Sequence, residues 1–187
     1  MNLGSTHILD QIDRQLLDAL QADAKRSLKE IGAAVGLSAP SVMERVRKLE
    51  NAGIIKGYHA LLDARKVGLD ISAFIGVSIS NPSHLAAFEE WVEAIAQVQE
   101  CHHVTGGHTL LLKVKTRNTR DLEQLISRIR SMEGVAGTET MVVLSTHAER
   151  VEVALPPGEP ADDARRRKRS RRKPDPPETQ EASQPPK

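Results

Sequence analysis

The sequence predicts an α+β protein: a winged-type helix-turn-helix in residues 1–62, a linker over 63–70, and a ferredoxin-like βαββαβ domain in residues 71–155. Three observations predict it. Apolar residues recur at helical spacing up to about residue 53, and they alternate with polar residues from residue 71. After residue 155 bulky apolar residues almost vanish and prolines accumulate, so residues 156–187 are expected to remain a disordered basic tail.

Three short helices are predicted in the first part. Asp10 is a suitable N-cap for the first helix, and Ser27 with Glu30 three residues later forms a capping box for the second. Gly36 can adopt the positive φ of a tight turn, after which Ser38 caps the third helix. The side of the third helix that should be buried recurs at i, i+4 and i+7: Val42, Val46 and Leu49. Residues 54–58 then read as an exit strand.

The middle of the chain alternates strands and helices in the order β-α-β-β-α-β. Strands are predicted over residues 71–80, 98–105, 108–116 and 135–147, and helices over 85–95 and from Asn118 to Gly134. Both helices should cover one sheet face. The other face is partly apolar through Phe74 and Leu111, so it needs a cover, and a second copy of the chain is the simplest one.

Composition limits the possible environments. Cys101 is the only cysteine, so no intrachain disulfide can form. The sequence has no apolar run long enough to span a membrane, and its first ten residues lack the pattern of a signal peptide. We therefore expect a cytoplasmic protein without a membrane partner. The formal charge is +2 over residues 1–66, −4 over 67–155 and +3 over 156–187, which favours an anionic partner for the two ends.

The outward side of the third helix is the candidate DNA-reading surface, because the second helix of a helix-turn-helix enters the major groove. Arginine can read guanine, glutamate can accept from cytosine, and serine serves several bases. Ser38 at the helix N-terminus could bind a phosphate, and Lys25 and Arg26 could contact the DNA backbone. The predicted base-facing residues are Pro40, Ser41, Glu44, Arg47 and Lys48, with Arg45 at the flank.

The alternative to DNA reading is that the charged side of the third helix is simply the solvent-exposed surface of a small helical bundle. Glu44 and Lys48 could then be no more than an ion pair at i, i+4. Periodicity alone leaves the two interpretations open.

Motifs in both parts resemble the Lrp/AsnC regulators. The first part carries Leu9-Asp10-x-Ile12-Asp13-Arg14, Val35-Gly36-Leu37-Ser38, and a stretch from Glu44 to Tyr58 that includes Leu49-Glu50-x-x-Gly53-Ile54-Ile55-x-Gly57-Tyr58. The middle part carries Val98-x-Glu100-Cys101-x-x-Val104-Thr105-Gly106 and Gly134-Val135-x-x-Thr138-x-Thr140. The resemblance implies a DNA-binding transcriptional regulator that forms dimers or octamers and binds an amino acid or related metabolite where subunits meet.

The hairpin between the second and third strands departs from the family pattern. Relatives commonly have Gly-Asp-Tyr-Asp there, whereas this chain has Gly106-Gly107-His108-Thr109. Both acidic positions are lost, which leaves three alternatives: a different ligand, a ligand held by backbone groups, or none. The candidate effector residues are Gly106, Gly107, His108, Thr109, Thr138 and Thr140.

No catalytic or cofactor motif is present in the sequence, so we predict that the chain is not an enzyme and needs no cofactor. Cys101, His102, His103 and His108 match no usual zinc spacing, and Cys101 is expected to be a small core residue. Two alternatives stay open beside the effector-controlled regulator. One is an architectural DNA binder that senses nothing. The other, less favoured, is an enzyme resembling the siroheme decarboxylases, which share the two-part architecture.

The tail carries eight cations in nine residues and could act as a nonspecific DNA clamp, because neutralised phosphates release counterions. A solvated extension is the alternative, and RNA or an anionic membrane surface could attract the same run. The cations are Arg165, Arg166, Arg167, Lys168, Arg169, Arg171, Arg172 and Lys173.

Overall fold

The computed structural model describes residues 8–156, which divide into two compact units. Residues 8–58 together with 151–156 form the first unit, and residues 59–150 form the second. None of the helices in this described range has both the length and the apolar character that crossing a membrane requires. The cations of the basic tail, Arg165–Lys173, lie outside the described residues.

The first unit contains the three predicted helices: α1 (Gln11–Ala22), α2 (Leu28–Val35) and α3 (Ala39–Asn51). Each begins at the predicted cap, because Asp10, Ser27 and Ser38 all accept a hydrogen bond from the backbone of the first helical turn. Both α1 and α2 begin with a capping box, and in α1 the side chains of Asp10 and Asp13 each accept a hydrogen bond from the other residue's backbone N–H. The buried core that joins the helices consists of Leu16, Ile31, Val42 and Val46.

The predicted exit strand over residues 54–58 is wrong for the isolated chain. The structure has no strand there, since a strand needs a hydrogen-bonded neighbour and the described part of the chain offers none. Instead Ile54 N–H and Ile55 N–H both donate to the carbonyl of Leu49, and the hydroxyl of Tyr58 donates to Oε1 of Glu50 at 3.1 Å. These contacts hold the segment against the end of α3.

The second unit has the predicted βαββαβ order. Its elements are β1 (Ile71–Ile79), α4 (Leu85–Glu93), β2 (Val98–His103), β3 (Leu110–Thr116), α5 (Thr119–Arg130) and β4 (Val135–Val142). The sheet order is β2-β3-β1-β4 and all neighbours are antiparallel. β4 ends at Val142 and not near residue 147, because its partner β1 begins at Ile71 and the last cross-strand pair is Ala73 with Val142.

Strand alternation divides the sheet into a helix-covered face and an open face. Ala73, Ile75 and Val77 of β1 are fully buried in a core with residues of β3, α4 and α5. Phe74 lies on the open face, where it pairs across the strands with Lys113 and Met141. Cys101 points toward the helix side but is exposed, because β2 is an edge strand, so the expectation of a core cysteine is wrong.

Candidate nucleic-acid interface

The turn between α2 and α3 is unusually close-packed. Gly36 ends α2 with φ of 71°, and the N–H of Leu37 donates to the carbonyl of Gly32 at 2.9 Å. A Cβ on Gly32 would lie 2.5 Å from the carbonyl oxygen of Leu37. Gly36 supplies the positive φ that ends α2, and the missing Cβ of Gly32 lets α3 begin directly beside α2, which is the local geometry of a helix-turn-helix.

The structure exposes one continuous side of α3. Val42, Val46 and Leu49 are buried against the other helices, as the spacing predicts. Their burial leaves the opposite side of the helix accessible to a partner. The predicted base-facing residues are all exposed: Pro40, Ser41, Glu44, Arg47 and Lys48. Met43 at the flank and the C-terminal Glu50 and Asn51 are exposed as well.

Glu44 and Lys48 form an ion pair on this surface. Their charged atoms lie 2.7 Å apart, and both side chains are more than 60% exposed (70% and 64%). The hydrogen bond from Lys48 holds the pKa of Glu44 below its ordinary value. Exposed pairs of this kind contribute little to stability, so DNA could replace either partner at small cost. Arg47 makes no ion pair with any described residue.

Arg45 occupies a different environment from its neighbours. Its Nη1 donates to Oδ2 of Asp10 and to Oδ1 of Asp13, both at 2.7 Å, and these hydrogen bonds raise the pKa of the guanidinium. Asp13 is one of only two buried polar residues in the described chain. Arg45 thus joins α3 to the start of α1, and its assignment as a flanking DNA contact stays a prediction.

The predicted phosphate contacts are exposed at two places in the first unit. Lys25 and Arg26 lie in the turn between α1 and α2, where only their backbone N–H groups bond, to Asp23. At the start of α3 the Oγ atoms of Ser38 and Ser41 lie 2.9 Å apart, and Ser38 also accepts from the N–H of Ser41 at 3.4 Å. The hydroxyl of Ser38 therefore caps α3, and it is also hydrogen-bonded to the hydroxyl of Ser41.

The β2–β3 hairpin places His108 over the open sheet face. Its Nδ1 lies 3.2 Å from Oγ of Ser78, and its Nε2 lies 2.9 Å from Oε2 of Glu139. The ring packs on Gly76, where an added Cβ would lie 2.4 Å from Cδ2 of His108. Ser78 and Glu139 were not predicted, although β1 alternation places Ser78 on the same face as Gly76. The other hairpin candidates, Gly106 and Gly107, are exposed.

The six candidate effector residues do not converge on one site within a single chain. Thr138 and Thr140 pair with Val77 and Ile75, so they lie on the helix-covered face, opposite His108. Thr138 accepts a hydrogen bond from Nε of Arg130 on α5 at 2.8 Å. Thr109 is used within the sheet, because its Oγ1 accepts from the N–H of Ile79 and its own N–H donates to Val77. Within one chain Thr138 and Thr140 therefore lie on the opposite sheet face from His108, and the assignment of the six residues to an effector site stays a prediction.

The segment after β4 crosses part of the open face. Nζ of Lys113 lies 2.9 Å from Glu149 and 3.1 Å from Glu100, and these hydrogen bonds raise the pKa of the lysine. The same hydrogen bond lowers the pKa of Glu149. These charges lie beside Phe74, which pairs across the strands with Lys113 and is half-buried. Met141, the other cross-strand neighbour of Phe74, is 46% exposed.

Two of the histidines considered for metal binding bond to separate carboxylates. His102 bonds to Glu100 on its own strand, whereas His108 bonds to Glu139. Within residues 8–156 no three His, Cys, Asp or Glu side chains lie close enough to hold a metal ion. Burial and the nearby carboxylates of Glu89 and Glu93 raise the pKa of the Cys101 thiol.

A tight helix-turn-helix with an exposed polar recognition side, followed by a βαββαβ domain, defines the class of HTH-type transcriptional regulators. Models of an AsnC-type helix-turn-helix domain and of an Lrp/AsnC ligand-binding domain match residues 9–50 and 72–153. The chain belongs to the Lrp/AsnC family of transcriptional regulators, as the motifs indicate. An HTH-type transcriptional regulator named FL11, from Pyrococcus horikoshii, is 35% identical over 153 residues, covering 79% of this chain and 97% of that protein.

Solved structures agree with this assignment. AsnC of E. coli has a TM-score of 0.73 at 28% identity, and the match covers 78% of this chain and 99% of AsnC. A transcriptional regulator of Neisseria meningitidis in complex with L-Met has a TM-score of 0.74 at 28% identity, covering 78% and 96%. Because the family and its members are regulators and not enzymes, the prediction that the chain is not an enzyme is confirmed.

Proposed function

We propose that this chain is a sequence-specific DNA-binding regulator that reads DNA with the outward side of α3 and is controlled by an amino acid or related small metabolite. The observation that carries the first half is the exposure of Ser41, Glu44, Arg47 and Lys48 on a helix whose other side is buried. Arg47 is the principal base reader, because its guanidinium is not committed to any carboxylate of the described chain. Lys25 and Arg26 position the module on phosphates.

A second copy of the chain completes the regulator. The open sheet face presents Phe74, Leu111 and Met141, and the exposed leucines nearest in sequence to β1 are Leu61 and Leu62. Large apolar side chains grouped on a face favour association. A symmetric dimer presents two copies of α3, which predicts a near-palindromic site with half-sites one or more helical turns apart.

The effector is proposed to bind where subunits meet. Support comes from the L-Met complex of the Neisseria relative and from the geometry of the hairpin, whose candidate residues form no complete site in one chain. In this proposal Gly106, Gly107 and His108 form one side of the effector site, and residues of a neighbouring subunit form the other side. Ligand binding shifts the spacing of the paired α3 helices and so changes DNA affinity.

An architectural DNA binder that senses nothing is the second candidate. It is favoured by one observation: the hairpin has Gly107 and Thr109 where relatives commonly carry acidic residues, and Thr109 is already bonded within the sheet. Such a protein would bind DNA without a metabolite-dependent change.

Two measurements test the proposal. Selection of bound duplexes from a random-sequence pool should return a near-palindromic consensus, and a pool without enrichment would overturn sequence-specific reading. A thermal-shift screen of the L-amino acids should find a compound that raises Tm, because a ligand that binds only the folded state adds stability. His108→Ala should weaken that shift, with the exposed Gln15→Ala of α1 as the control. No shift with any compound would favour the architectural candidate.

A further inference from the structure

A cavity opens at one end of the open sheet face, within the second unit. Its volume is about 280 Å³, and its walls come from β1, β3 and the segment that follows β4. This volume is just below the ~300 Å³ at which pockets for drug-sized ligands begin, so the cavity suits a small metabolite. Ser72 in its wall is six residues, or about 20 Å, from Ser78, which contacts His108. The cavity is therefore distinct from the hairpin site proposed above.

Two lysines of β3 line this cavity. Lys113 and Lys115 lie on the same face of the sheet, and their side chains are only 24% and 18% exposed. An ammonium group that is largely removed from water needs hydrogen-bond acceptors. Lys113 has two, in Glu100 at 3.1 Å and Glu149 at 2.9 Å. The Nζ of Lys115 hydrogen-bonds to no described residue, because the nearest carboxylate oxygen, that of Glu149, lies 3.8 Å away.

Glu149 already places a carboxylate beside both ammonium groups. Its side chain is half exposed, and it belongs to a segment that forms neither helix nor strand after β4. The sheet holds the start of that segment, where the N–H of Val143 donates to the carbonyl of Ser72 at 2.9 Å. Water partly screens the ion pairs of a half-exposed carboxylate, so moving Glu149 aside costs little. A carboxylate from a ligand could then occupy the same position.

The remaining wall of the cavity indicates what else the ligand carries. Once Glu149 has moved, no cavity-lining residue is acidic, so the two lysines disfavour a ligand with an ammonium group. The hydroxyls of Ser72 and Thr146 line the cavity without a hydrogen bond to any described side chain or backbone group, and they can donate to a second oxygen. Phe74 adds an apolar surface for a short carbon chain.

A larger cavity of about 520 Å³ lies beside the first, and both include Lys115 and Glu149 in their walls. The larger cavity adds the carboxylates of Asp63 and Asp70 and only one further cation, that of Arg65. The additional negative charge makes it less favourable for an anion. The smaller cavity is therefore the better site for a carboxylate.

From this geometry we propose that the smaller cavity binds a small organic acid without an amino group, whose carboxylate takes the place of Glu149 beside Lys113 and Lys115. Glu149 is then an internal competitor that occupies the site until the acid displaces it. The site goes beyond the proposed function, because it involves neither DNA nor the hairpin residues.

Three four-carbon probes test the ligand class on the full-length protein: butanoate, butanamide and L-2-aminobutanoate. Binding is followed by NMR through the backbone amides of Ser72 and Lys115, in a buffer of low salt that contains no carboxylate. Butanoate should give saturable shifts at these amides. Butanamide, which lacks the charge, should bind about tenfold or more weakly, since a hydrogen bond to a charged group is worth roughly 1.5–3 kcal/mol. L-2-aminobutanoate should bind about threefold or more weakly than butanoate, because the lysines repel its ammonium group.

Two substitutions test the residues, each with a matched control. Lys115→Gln should weaken butanoate binding about tenfold or more, whereas Lys29→Gln, on the exposed surface of α2, should not change it. Glu149→Gln should strengthen butanoate binding about threefold or more, because the competing carboxylate is gone. Glu123→Gln, on the exposed surface of α5, should have no effect. A purely structural ion pair would not give tighter binding when it is broken.

Four results would overturn the proposal. Butanoate could give no saturable shift at Ser72 and Lys115, or L-2-aminobutanoate could bind as tightly as butanoate. Glu149→Gln could bind butanoate no more tightly than the wild type. Finally, a wild type that binds no butanoate, together with a change of assembly size on gel filtration in Lys115→Gln, would assign Lys115 to a contact between copies of the chain. None of these results bears on DNA reading by α3.

Discussion

Nη1 of Arg45 lies 2.7 Å from Oδ1 of Asp13, which joins α3 to α1, the first helix of the module. The arginine side chain is 30% exposed and that of the aspartate 10%, so the pair is partly shielded from water. Hydrogen bonds to charged groups in such settings contribute more than exposed ion pairs do. The ion pair thus holds Arg45 against α1, whereas Arg47, two residues later, makes no ion pair with a described residue.

Arg45→Ala should lower the free energy of unfolding by about 1–2 kcal/mol, because the buried carboxylate of Asp13 loses its cationic partner. Arg47→Ala is the matched control and should change stability by less than about 0.5 kcal/mol, since its side chain is exposed. Urea unfolding followed by circular dichroism measures both. Equal stability of the two variants would show that the ion pair does not hold α3.

The start of α1 should be sensitive to acid. Burial alone would raise the pKa of Asp10, but hydrogen bonds from the N–H of Asp13 and from Arg45 outweigh it and hold the pKa below its ordinary value of 3.8. A carboxyl whose pKa is lower in the folded state than in the unfolded state stabilises the folded protein. This contribution is complete at pH values above the unfolded-state pKa, and it is lost as the pH falls through the folded-state pKa. Urea midpoints of the wild type should therefore fall as pH drops below 3.8.

Asp10→Asn is the control for that acid dependence. Asparagine keeps an Oδ1 acceptor for the N–H of Asp13 but has no titrating carboxyl. The variant should lose part of the decline in midpoint below pH 3.8. An identical pH profile in both proteins would rule out Asp10 as a source of acid sensitivity.

Gly32→Ala should destabilise the first unit although alanine is the better helix former by about 1 kcal/mol. The new Cβ would lie 2.5 Å from the backbone oxygen of Leu37, which cannot move without opening the turn. We expect a net loss of about 1–3 kcal/mol in unfolding free energy. Gly107→Ala, where a Cβ meets nothing within 4 Å, should be close to neutral. A stabilised Gly32→Ala would contradict the close packing of α2 and α3.

Gly76→Ala tests the placement of His108. The added Cβ would lie 2.4 Å from the imidazole, forcing the ring away from Ser78 and Glu139. The expected cost is about 1–3 kcal/mol by urea unfolding. In a His108→Ala background the same substitution should cost much less, because the clash is gone. Equal costs in the two backgrounds would place His108 elsewhere.

Local sequence signals predicted most of the fold for a physical reason. Caps at Asp10, Ser27 and Ser38 and the apolar spacing of α3 act over one or two turns, so they can be read directly from neighbouring residues. The same holds for β1, whose alternation separates its two faces. The exposed residues of α3 follow from that spacing.

Contacts between distant residues were not predictable in the same way. The ion pair of Asp10 with Arg45 joins positions 35 residues apart, and helical spacing alone placed Arg45 at an outward flank. The separation of Thr138 from His108 depends on the strand register of β4 on β1, which the sequence does not state. The strand predicted over 54–58 is missing because the described residues offer it no hydrogen-bonded neighbour, which the local pattern of residues does not reveal.

The ratio of affinities for the selected site and for unrelated duplex DNA tests the central claim most directly. In Arg47→Ala that ratio should fall about tenfold or more, because a good bidentate base contact is worth roughly 1–3 kcal/mol of discrimination. Arg120→Ala, which removes an exposed arginine of α5 in the second unit, should leave it unchanged. An undiminished ratio in a folded Arg47→Ala protein would contradict base reading by the outward side of α3.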